Sequence, residues 1–451
     1  MSSVSRSGSS ASIPKRSVAR GFLLVAGILA GAAGCSDRRA DAPDARRAAA
    51  VARDSVRDST AGESESIGKR EYRAVAEKVV GQVAGVQAGD VVWLLGRDED
   101  LPLLEDLAVE VQKRGGSPLM TVRTERLRRR MYDEVPAQYD TVPPEANLRL
   151  AGIVDVIIGT ESAEQRTLEG VPPARIEARS RADGPVLALM RKRGVRSVWL
   201  GTGLYPSAER AEQLGVSRRD LADMLYGGID VDYAQLQRTG EALRQVVEAG
   251  NEVHITAPNG TDLRVRVAGR PVYVSDGVIS AEDRRRGGPA TSVWLPAGEV
   301  YLIPAPGSAE GVLVTDEDVY GGKRLEGLRL EFKKGKVVSM TATSGLEAFK
   351  AEYDSAGRGK DVLSAVDFGI NPGLKLPAGK PIHAWTRAGM VTVVVGDNAW
   401  AGGDINMGFG VFTHLGNGTV EVDGRAVIRE GKLVGAEGVA ARQGGQGPSP
   451  F

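Results

Sequence analysis

The spacing of apolar residues changes once along this chain, near residue 250, and the change separates two kinds of fold. Before it, short apolar runs alternate with segments of helical spacing. The runs cover 90–96, 118–122, 152–159 and 196–201, and the helical segments include 101–114 and 176–193. Strands that alternate with helices form βαβ units and a parallel sheet covered on both faces. We therefore predict an α/β protein whose N-terminal domain, residues 67–240, is a doubly wound parallel sheet.

After residue 250, apolar and polar residues alternate, which is the period of a half-buried strand. The dipeptide Asn259-Gly260 lies between two such runs and is the strongest short signal for a β-hairpin. Further strand-like runs lie at 299–304, 311–315, 327–333, 336–342, 390–395, 419–422 and 425–429, with one helix expected at about 344–358. These patterns predict a second, β-rich (α+β) domain over residues 241–440.

Charge and motif content exclude several classes of function. The chain has 58 Lys and Arg against 58 Asp and Glu, and proteins that bind nucleic acid usually carry a basic excess, so we expect no nucleic-acid partner. The first predicted strand ends in Gly96-Arg97-Asp98-Glu99, without the GxGxxG that brings a pyrophosphate close to the backbone. The sequence therefore gives no support to nucleotide binding.

The N-terminus has the pattern of a bacterial lipoprotein signal. Cationic residues precede an apolar run over 22–33, which is too short to span a bilayer as a stable helix, and Cys35 follows as the only cysteine of the chain. We predict a signal peptide over 1–35, with Cys35 as the lipid-bearing residue, and a location in the cell envelope. An ordinary signal peptide with an incidental cysteine is the alternative. Residues 36–66 are expected to be a disordered tether and 441–451 a flexible tail.

Four segments of the second half combine acidic or histidine residues with glycine-rich or proline-rich turns. They are 294–311 (WLPAGEVYLIPAPGSAEG), 367–373 (DFGINPG), 389–406 (GMVTVVVGDNAWAGGDIN) and 414–433 (HLGNGTVEVDGRAVIREGKL). In this order and spacing they resemble the metallo-aminopeptidases of the aminopeptidase T type, also called leucyl aminopeptidases or thermophilic metalloproteases. The resemblance covers about residues 70–435.

The resemblance implies an α/β domain followed by a metallo-aminopeptidase-like domain that holds two divalent ions such as zinc or cobalt. It also implies peptide substrates and a homodimer. Carried over position by position, it makes Glu299, Asp367 and His414 metal ligands. Four further positions depart from the family pattern, since Arg387, Thr392, Ala399 and Gly416 stand where a glutamate, a histidine, a tyrosine and an aspartate are expected. No catalytic residue can be assigned on this basis.

Two functions follow from these matches and departures. The first is a metal-dependent aminopeptidase, anchored as a lipoprotein, with a remodelled metal site in which Asp397, Asp404 or His383 could replace missing ligands. The second is a catalytically inactive relative that has lost its metal and acts as a peptide-binding or structural lipoprotein. In either case we expect Glu299, Asp367 and His414 to face one cleft. Arg387 should point away from that cleft or form an ion pair with Asp367.

Overall fold

The computed structural model describes residues 72–161, 166–315, 317–320, 323–377, 382, 384–405 and 409–434. The predicted signal peptide with Cys35, the tether at 36–66 and the tail at 441–451 all lie outside these residues. Within the described part of the chain, none of the helices has the length and apolar character needed to cross a membrane.

The first sheet has five parallel strands in the order β2–β1–β3–β4–β8. The strands are β1 Val91–Arg97, β2 Ser117–Arg123, β3 Val156–Thr160, β4 Arg196–Leu200 and β8 Ser292–Leu295. Three of the first four, β1, β3 and β4, are largely buried, as expected for a sheet that is covered on both faces. The parallel sheet predicted for the first half of the chain is confirmed.

Nine helices are described in the first half of the chain. They are α1 Arg73–Glu77, continued by a wider turn over Lys78–Val83, α2 Leu101–Lys113, α3 Glu125–Asp133, α4 Glu145–Ala151, α5 Pro173–Ala182, α6 Gly184–Arg193, α7 Ala208–Leu214, α8 Arg218–Ile229 and α9 Tyr233–Glu248. The leucines of α2 pack against Val92 and Leu94 on one face of the sheet. Leu150 of α4 and Met190 of α6 pack with Trp93 on the opposite face, so the sheet is doubly wound.

The strand β8 belongs to the first sheet although it lies far along the chain. It pairs in parallel with β4, and the indole rings of Trp199 and Trp294 stack at a centroid distance of 6.0 Å. The sequence pattern placed this segment beyond the boundary predicted at residue 240, in a turn that precedes a strand. The chain therefore returns to the first sheet after it has begun the second.

The carboxyl ends of β1 and β3 meet where the strand order reverses, which is where open α/β sheets bind ligands. Here the crevice is closed by the protein's own groups. The buried Asp100 carboxylate accepts hydrogen bonds from the backbone N–H of Arg97 at 2.8 Å, from the Thr160 hydroxyl at 2.7 Å and from the Tyr205 hydroxyl. The remaining cavity measures about 10 Å³.

Two antiparallel sheets, of eight and five strands, form most of the rest of the fold. The second sheet has the order β14–β13–β10–β6–β5–β18–β19–β20, and the third has the order β17–β16–β15–β9–β7. The second sheet contains β5 Glu252–Ala257, β6 Thr261–Arg266, β10 Glu310–Val314, β13 Arg329–Lys333, β14 Lys336–Thr341, β18 Thr419–Val422, β19 Arg425–Arg429 and β20 Lys432–Leu433. The third contains β7 Val272–Ser275, β9 Glu299–Leu302, β15 Leu363–Gly369, β16 Val391–Gly396 and β17 Gly410–Leu415.

A small hairpin and two helices complete the β-rich part. The hairpin is β11 Glu317–Tyr320 with β12 Lys323–Glu326, and the helices are α10 Ala281–Arg286 and α11 Leu346–Ser355. Asn259-Gly260 forms the turn between β5 and β6 as the sequence predicts. The mixed fold, with one parallel sheet and further antiparallel sheets, confirms the predicted fold class.

Candidate functional site

A row of polar and aromatic residues crosses the third sheet. Strand pairing places Tyr273 opposite Tyr301, Tyr301 opposite Asp367, Asp367 opposite Thr392, and Thr392 opposite His414. Residues directly opposite one another in paired strands lie on the same face. The row therefore brings residues from five separate strands onto one face, and we call it the central row.

Glu299 joins this face from β9. It lies two residues before Tyr301, and side chains two apart in a strand share a face. Its carboxyl group is hydrogen-bonded to the carboxyl of Asp367 and also to the Trp385 side chain. Only residues 296–298 separate Glu299 from the end of β8, so the parallel sheet fixes the start of the strand that carries this glutamate.

Burial changes the ionisation of both carboxyl groups. It raises the pKa of Glu299 to about 7, although the hydrogen bonds to Asp367 and Trp385 act in the opposite direction. Burial and the neighbouring Glu299 charge raise the pKa of Asp367 well above its ordinary value. Two hydrogen-bonded carboxyls in a protein interior cannot both ionise without strong repulsion. We conclude that the pair holds at least one proton at neutral pH.

A loop before β16 covers the edge of this face. A side-chain carbon added at Gly369 would lie 2.2 Å from the Arg387 carbonyl oxygen and 2.3 Å from that of Trp385, so only glycine lets the loop approach. The Asn371 backbone is hydrogen-bonded to this loop at Thr386 and Ala388. Its side-chain amide donates to the carbonyl oxygens of Gly228 in α8 at 2.9 Å and Ala297 at 2.5 Å. The Asn-Pro turn noted in the sequence thus connects the loop to α8 and to the link between β8 and β9.

Arg387 is hydrogen-bonded to the protein backbone. Its Nη2 donates to the Gly416 carbonyl oxygen at 3.1 Å, at the far side of the sheet from Glu299. Within the described residues it makes no ion pair with Asp367 or with any other carboxylate. Gly416, which replaces the aspartate expected from the family pattern, is exposed and lies in contact with this guanidinium.

His414 and Thr392 interact with each other. The Nδ1 atom of His414 lies 3.0 Å from the Thr392 hydroxyl oxygen. The sequence predicts that Glu299, Asp367 and His414 face one cleft, and the register places all three on the same face of the third sheet. Asp367 and His414 are nevertheless two strands apart, with Thr392 between them.

Aromatic residues near the carboxyl pair were not identified from the sequence. The Trp400 ring contacts those of Tyr301 at 5.4 Å and Phe412 at 5.9 Å, and Tyr301 stacks on Tyr273 at 5.4 Å. We call these four residues the aromatic row. Because β9 reads Glu-Val-Tyr-Leu, alternation alone could have placed Tyr301 on the face of Glu299. Trp385 carries no comparable signal.

The donor set was tested for its fit to the metal ions that the resemblance implies. Among the residues that the structure describes, no three carboxylate, histidine or cysteine side chains are grouped so that they could hold a metal ion. Asp404 is exposed, and the Asp397 carboxylate accepts a hydrogen bond from the Ala399 N–H at 3.1 Å. His383 lies outside the described residues. Two carboxyls with no third donor grouped beside them among the described residues do not fit a dinuclear centre, and the three-residue ligand set stays a prediction.

A cavity of about 690 Å³ lies away from this face, between α8 and the loop 372–377. Its acidic lining includes Asp220 and Asp232, which cap α8 and α9 by accepting hydrogen bonds from backbone N–H groups. These carboxylates have a structural role, and the cavity contains none of the central row.

A family model and two curated proteins that match this chain are a metalloprotease family and two aminopeptidases. A family model described as thermophilic metalloprotease (M29) matches residues 69–357, which include Glu299 but end before Asp367 and His414. The aminopeptidase PepS of Streptococcus thermophilus is 25% identical over 211 residues, 43% of this chain and 50% of that protein. The aminopeptidase AmpS of Bacillus subtilis (strain 168) is 22% identical over 209 residues, again 43% and 50%. The chain thus matches about half the length of these curated relatives.

Two solved structures share the fold. Wild-type AmpT from Thermus thermophilus aligns with a TM-score of 0.60 and 19% identity, covering 81% of this chain and all of that one. The 2,5-dihydroxypyridine dioxygenase of Pseudomonas putida KT2440 aligns with a TM-score of 0.52 and 15% identity, covering 80% and 96%. Because one neighbour is named a dioxygenase, the fold alone does not fix the chemistry of the site.

Proposed function

This chain belongs to the thermophilic metalloprotease family M29, and from that premise we propose that it binds peptides without hydrolysing them through a two-metal centre. The family resemblance to aminopeptidases supports peptides as the ligand class. The observation that carries the rest is the donor set around Glu299 and Asp367, which has no group of three possible metal ligands among the described residues. The positions that should complete two metal sites hold Arg387, Thr392 and Gly416.

None of these three residues is a suitable ligand for a divalent ion. A guanidinium repels a divalent cation, a neutral hydroxyl is a weak ligand for zinc, and glycine supplies no side chain. Asp367 is also one methylene shorter than the glutamate of the family pattern. Such a centre needs bridging carboxylates and several donors around each ion, and the described residues of this face do not supply them.

A metal-dependent aminopeptidase is the second candidate, and one observation favours it. The Oδ1 atom of Asp367 is buried and has no hydrogen-bond partner. A buried carboxylate oxygen without a partner is costly, and an ion is one of the groups that could satisfy it. The two candidates differ in whether the purified protein holds a metal and cleaves peptides.

The test uses the full-length protein. We expect metal analysis after dialysis against zinc or cobalt to find far less than one ion per chain, and we expect no hydrolysis of leucyl-anilide. Binding of free peptides should nevertheless be measurable in the presence of a chelator. Stoichiometric metal, together with hydrolysis that Glu299→Gln abolishes and the exposed-site control Glu347→Gln retains, would establish the aminopeptidase instead.

We also propose that the protein is a lipoprotein of the cell envelope, anchored through Cys35. Replacing Cys35 with Ser removes the only thiol that could be lipidated, so the protein should move from the membrane fraction to the soluble envelope or secreted fraction. Fractionation followed by immunoblotting measures this. A Cys35→Ser protein that stays in the membrane fraction would exclude this anchor.

A further inference from the structure

The tripeptide Asn-Gly-Thr occurs twice in this chain, at 259–261 and at 417–419. The first copy forms the turn between β5 and β6, and the second joins β17 of the third sheet to β18 of the second. Asparagine followed by glycine is the pair most prone to deamidation, because glycine has no side chain to keep its backbone nitrogen away from the asparagine amide carbon. Since the tripeptides are identical, the fold decides which copy reacts.

Hydrogen bonds hold the first copy against this reaction. The Asn259 side-chain amide donates to the Val314 carbonyl oxygen at 2.8 Å. Its Oδ1 atom accepts from the Thr261 N–H at 3.2 Å and from the Thr261 hydroxyl at 2.9 Å. The Gly260 N–H donates to the Ala257 carbonyl oxygen at 3.1 Å. Both reacting groups are therefore engaged, and these bonds must break before the groups can meet.

The second copy lacks these restraints. Asn417 is exposed, and within the described residues neither its side chain nor the Gly418 N–H makes a hydrogen bond. The Gly418 carbonyl oxygen accepts from the Gly431 N–H at 2.8 Å, and the Thr419 hydroxyl accepts from the Glu430 N–H at 3.1 Å. These bonds hold the backbone that follows the reacting atoms and involve neither the Asn417 amide nor the Gly418 nitrogen.

We propose that Asn417 is a site of spontaneous deamidation and that Asn259 is protected from it. The Gly418 nitrogen loses its proton and bonds to the side-chain carbonyl carbon of Asn417, and ammonia leaves with that proton. The resulting succinimide ring takes up one water molecule and opens at either carbonyl, which leaves aspartate or isoaspartate at position 417. Water is the only co-reactant, and each product carries a negative charge at neutral pH that asparagine lacks.

The new charge arises close to Arg387. The Arg387 guanidinium donates to the carbonyl oxygen of Gly416, the residue before Asn417, and within the described part of the chain it has no carboxylate partner. A carboxylate at 417 therefore gives this half-buried cation a counter-charge one residue away from its present hydrogen bond. Isoaspartate also lengthens the backbone by one methylene. The link is tightly packed there, since a side-chain carbon added at Gly431 would lie 2.1 Å from the Gly416 carbonyl oxygen.

Peptide mapping of the full-length protein tests the proposal. Trypsin places the two asparagines in separate peptides, 245–264 and 388–425. The folded protein is incubated at mildly alkaline pH, and fragmentation in the mass spectrometer locates the residue at which a carboxyl group replaces an amide. Asn417 should react roughly tenfold or more faster than Asn259, since one ordinary hydrogen bond already slows such a step about fivefold. Asn417→Gln, whose longer side chain would have to close a larger ring, should remove the signal from 388–425.

Incubation in guanidinium chloride is the control for the role of the fold. In the unfolded chain both copies should react at similar rates, because the hydrogen bonds that hold Asn259 are gone. Selectivity for Asn417 that is present in the folded protein and lost in the denaturant supports the proposal. Equal rates in the folded protein, or faster reaction at Asn259, would overturn it. An Asn417 that stays intact in the folded protein and reacts only after unfolding would overturn it as well, because the fold would then protect this link too.

Discussion

The free energy of unfolding of the parent protein is expected to fall between pH 4.5 and pH 7, and Glu299→Gln should remove the part of this fall that comes from Glu299. Burial raises the pKa of Glu299 from 4.5 to about 7 in the folded protein. The unfolded chain therefore releases this proton near pH 4.5, while the folded protein keeps it until about pH 7. Since the unfolded state binds fewer protons in this window, the free energy of unfolding falls as the pH rises. The shift corresponds to about 3 kcal/mol.

Glutamine keeps the shape of the side chain and can still donate a hydrogen bond to Asp367, so the variant should fold. Urea denaturation at several pH values between 4.5 and 8 gives the free energy of unfolding directly. The variant should show a shallower fall than the parent, by about 3 kcal/mol over the whole window. Glu347→Gln, at an exposed position, should keep the parent slope. Equal slopes for Glu299→Gln and the parent would show that the pair does not titrate in this way.

Asp100→Ala should destabilise the protein more than any surface substitution. The Asp100 carboxylate accepts hydrogen bonds from Arg97, Thr160 and Tyr205, and all of these groups are buried. Alanine leaves their donors without an acceptor, and each such donor costs about 1–3 kcal/mol. It also removes a carboxylate that lies 3.6 Å from the buried Arg97 guanidinium. We expect a loss of about 4 kcal/mol or more.

The neighbouring Asp98 provides a matched control. It is exposed and follows the same strand, so Asp98→Ala should change the free energy of unfolding by less than about 0.5 kcal/mol. Urea denaturation followed by circular dichroism compares the two variants. A small effect of Asp100→Ala would mean that the crevice between β1 and β3 rearranges to satisfy its donors, against the interpretation that this carboxylate holds the crevice closed.

Much of the fold could be predicted because its strands and helices show their periods in the sequence. β15 was missed because its seven residues, Leu363–Gly369, are all buried and so lack alternation, while Ser364 and Asp367 interrupt the continuous apolar run by which the fully buried β16 was recognised. The predicted helix at 176–193 is two helices, since Pro185 begins a new one after Asp183. β8 was missed because its partner, β4, lies far away in the sequence, and no local pattern reports such a pairing.

The register of the third sheet places Glu299, Asp367 and His414 on one face, and their role as metal ligands stays a prediction. The carboxyl pair itself depends on how close two side chains come in the folded protein, and sequence spacing carries no such distance. The same holds for Trp385, whose indole reaches Glu299 only because Gly369 lets the loop cross the sheet.

The position of β8 also governs the order in which the molecule can be completed during synthesis. β4 ends at Leu200 and β8 ends at Leu295, so 95 residues must be added between them. At about 5–20 residues per second this takes roughly 5–20 s. Throughout that interval β4 is an unprotected edge strand, and such an edge can pair with another chain. The nascent N-terminal half therefore has a second open edge, besides β2, that the finished protein does not have, and a chaperone that shields β4 would act before Trp294 leaves the ribosome.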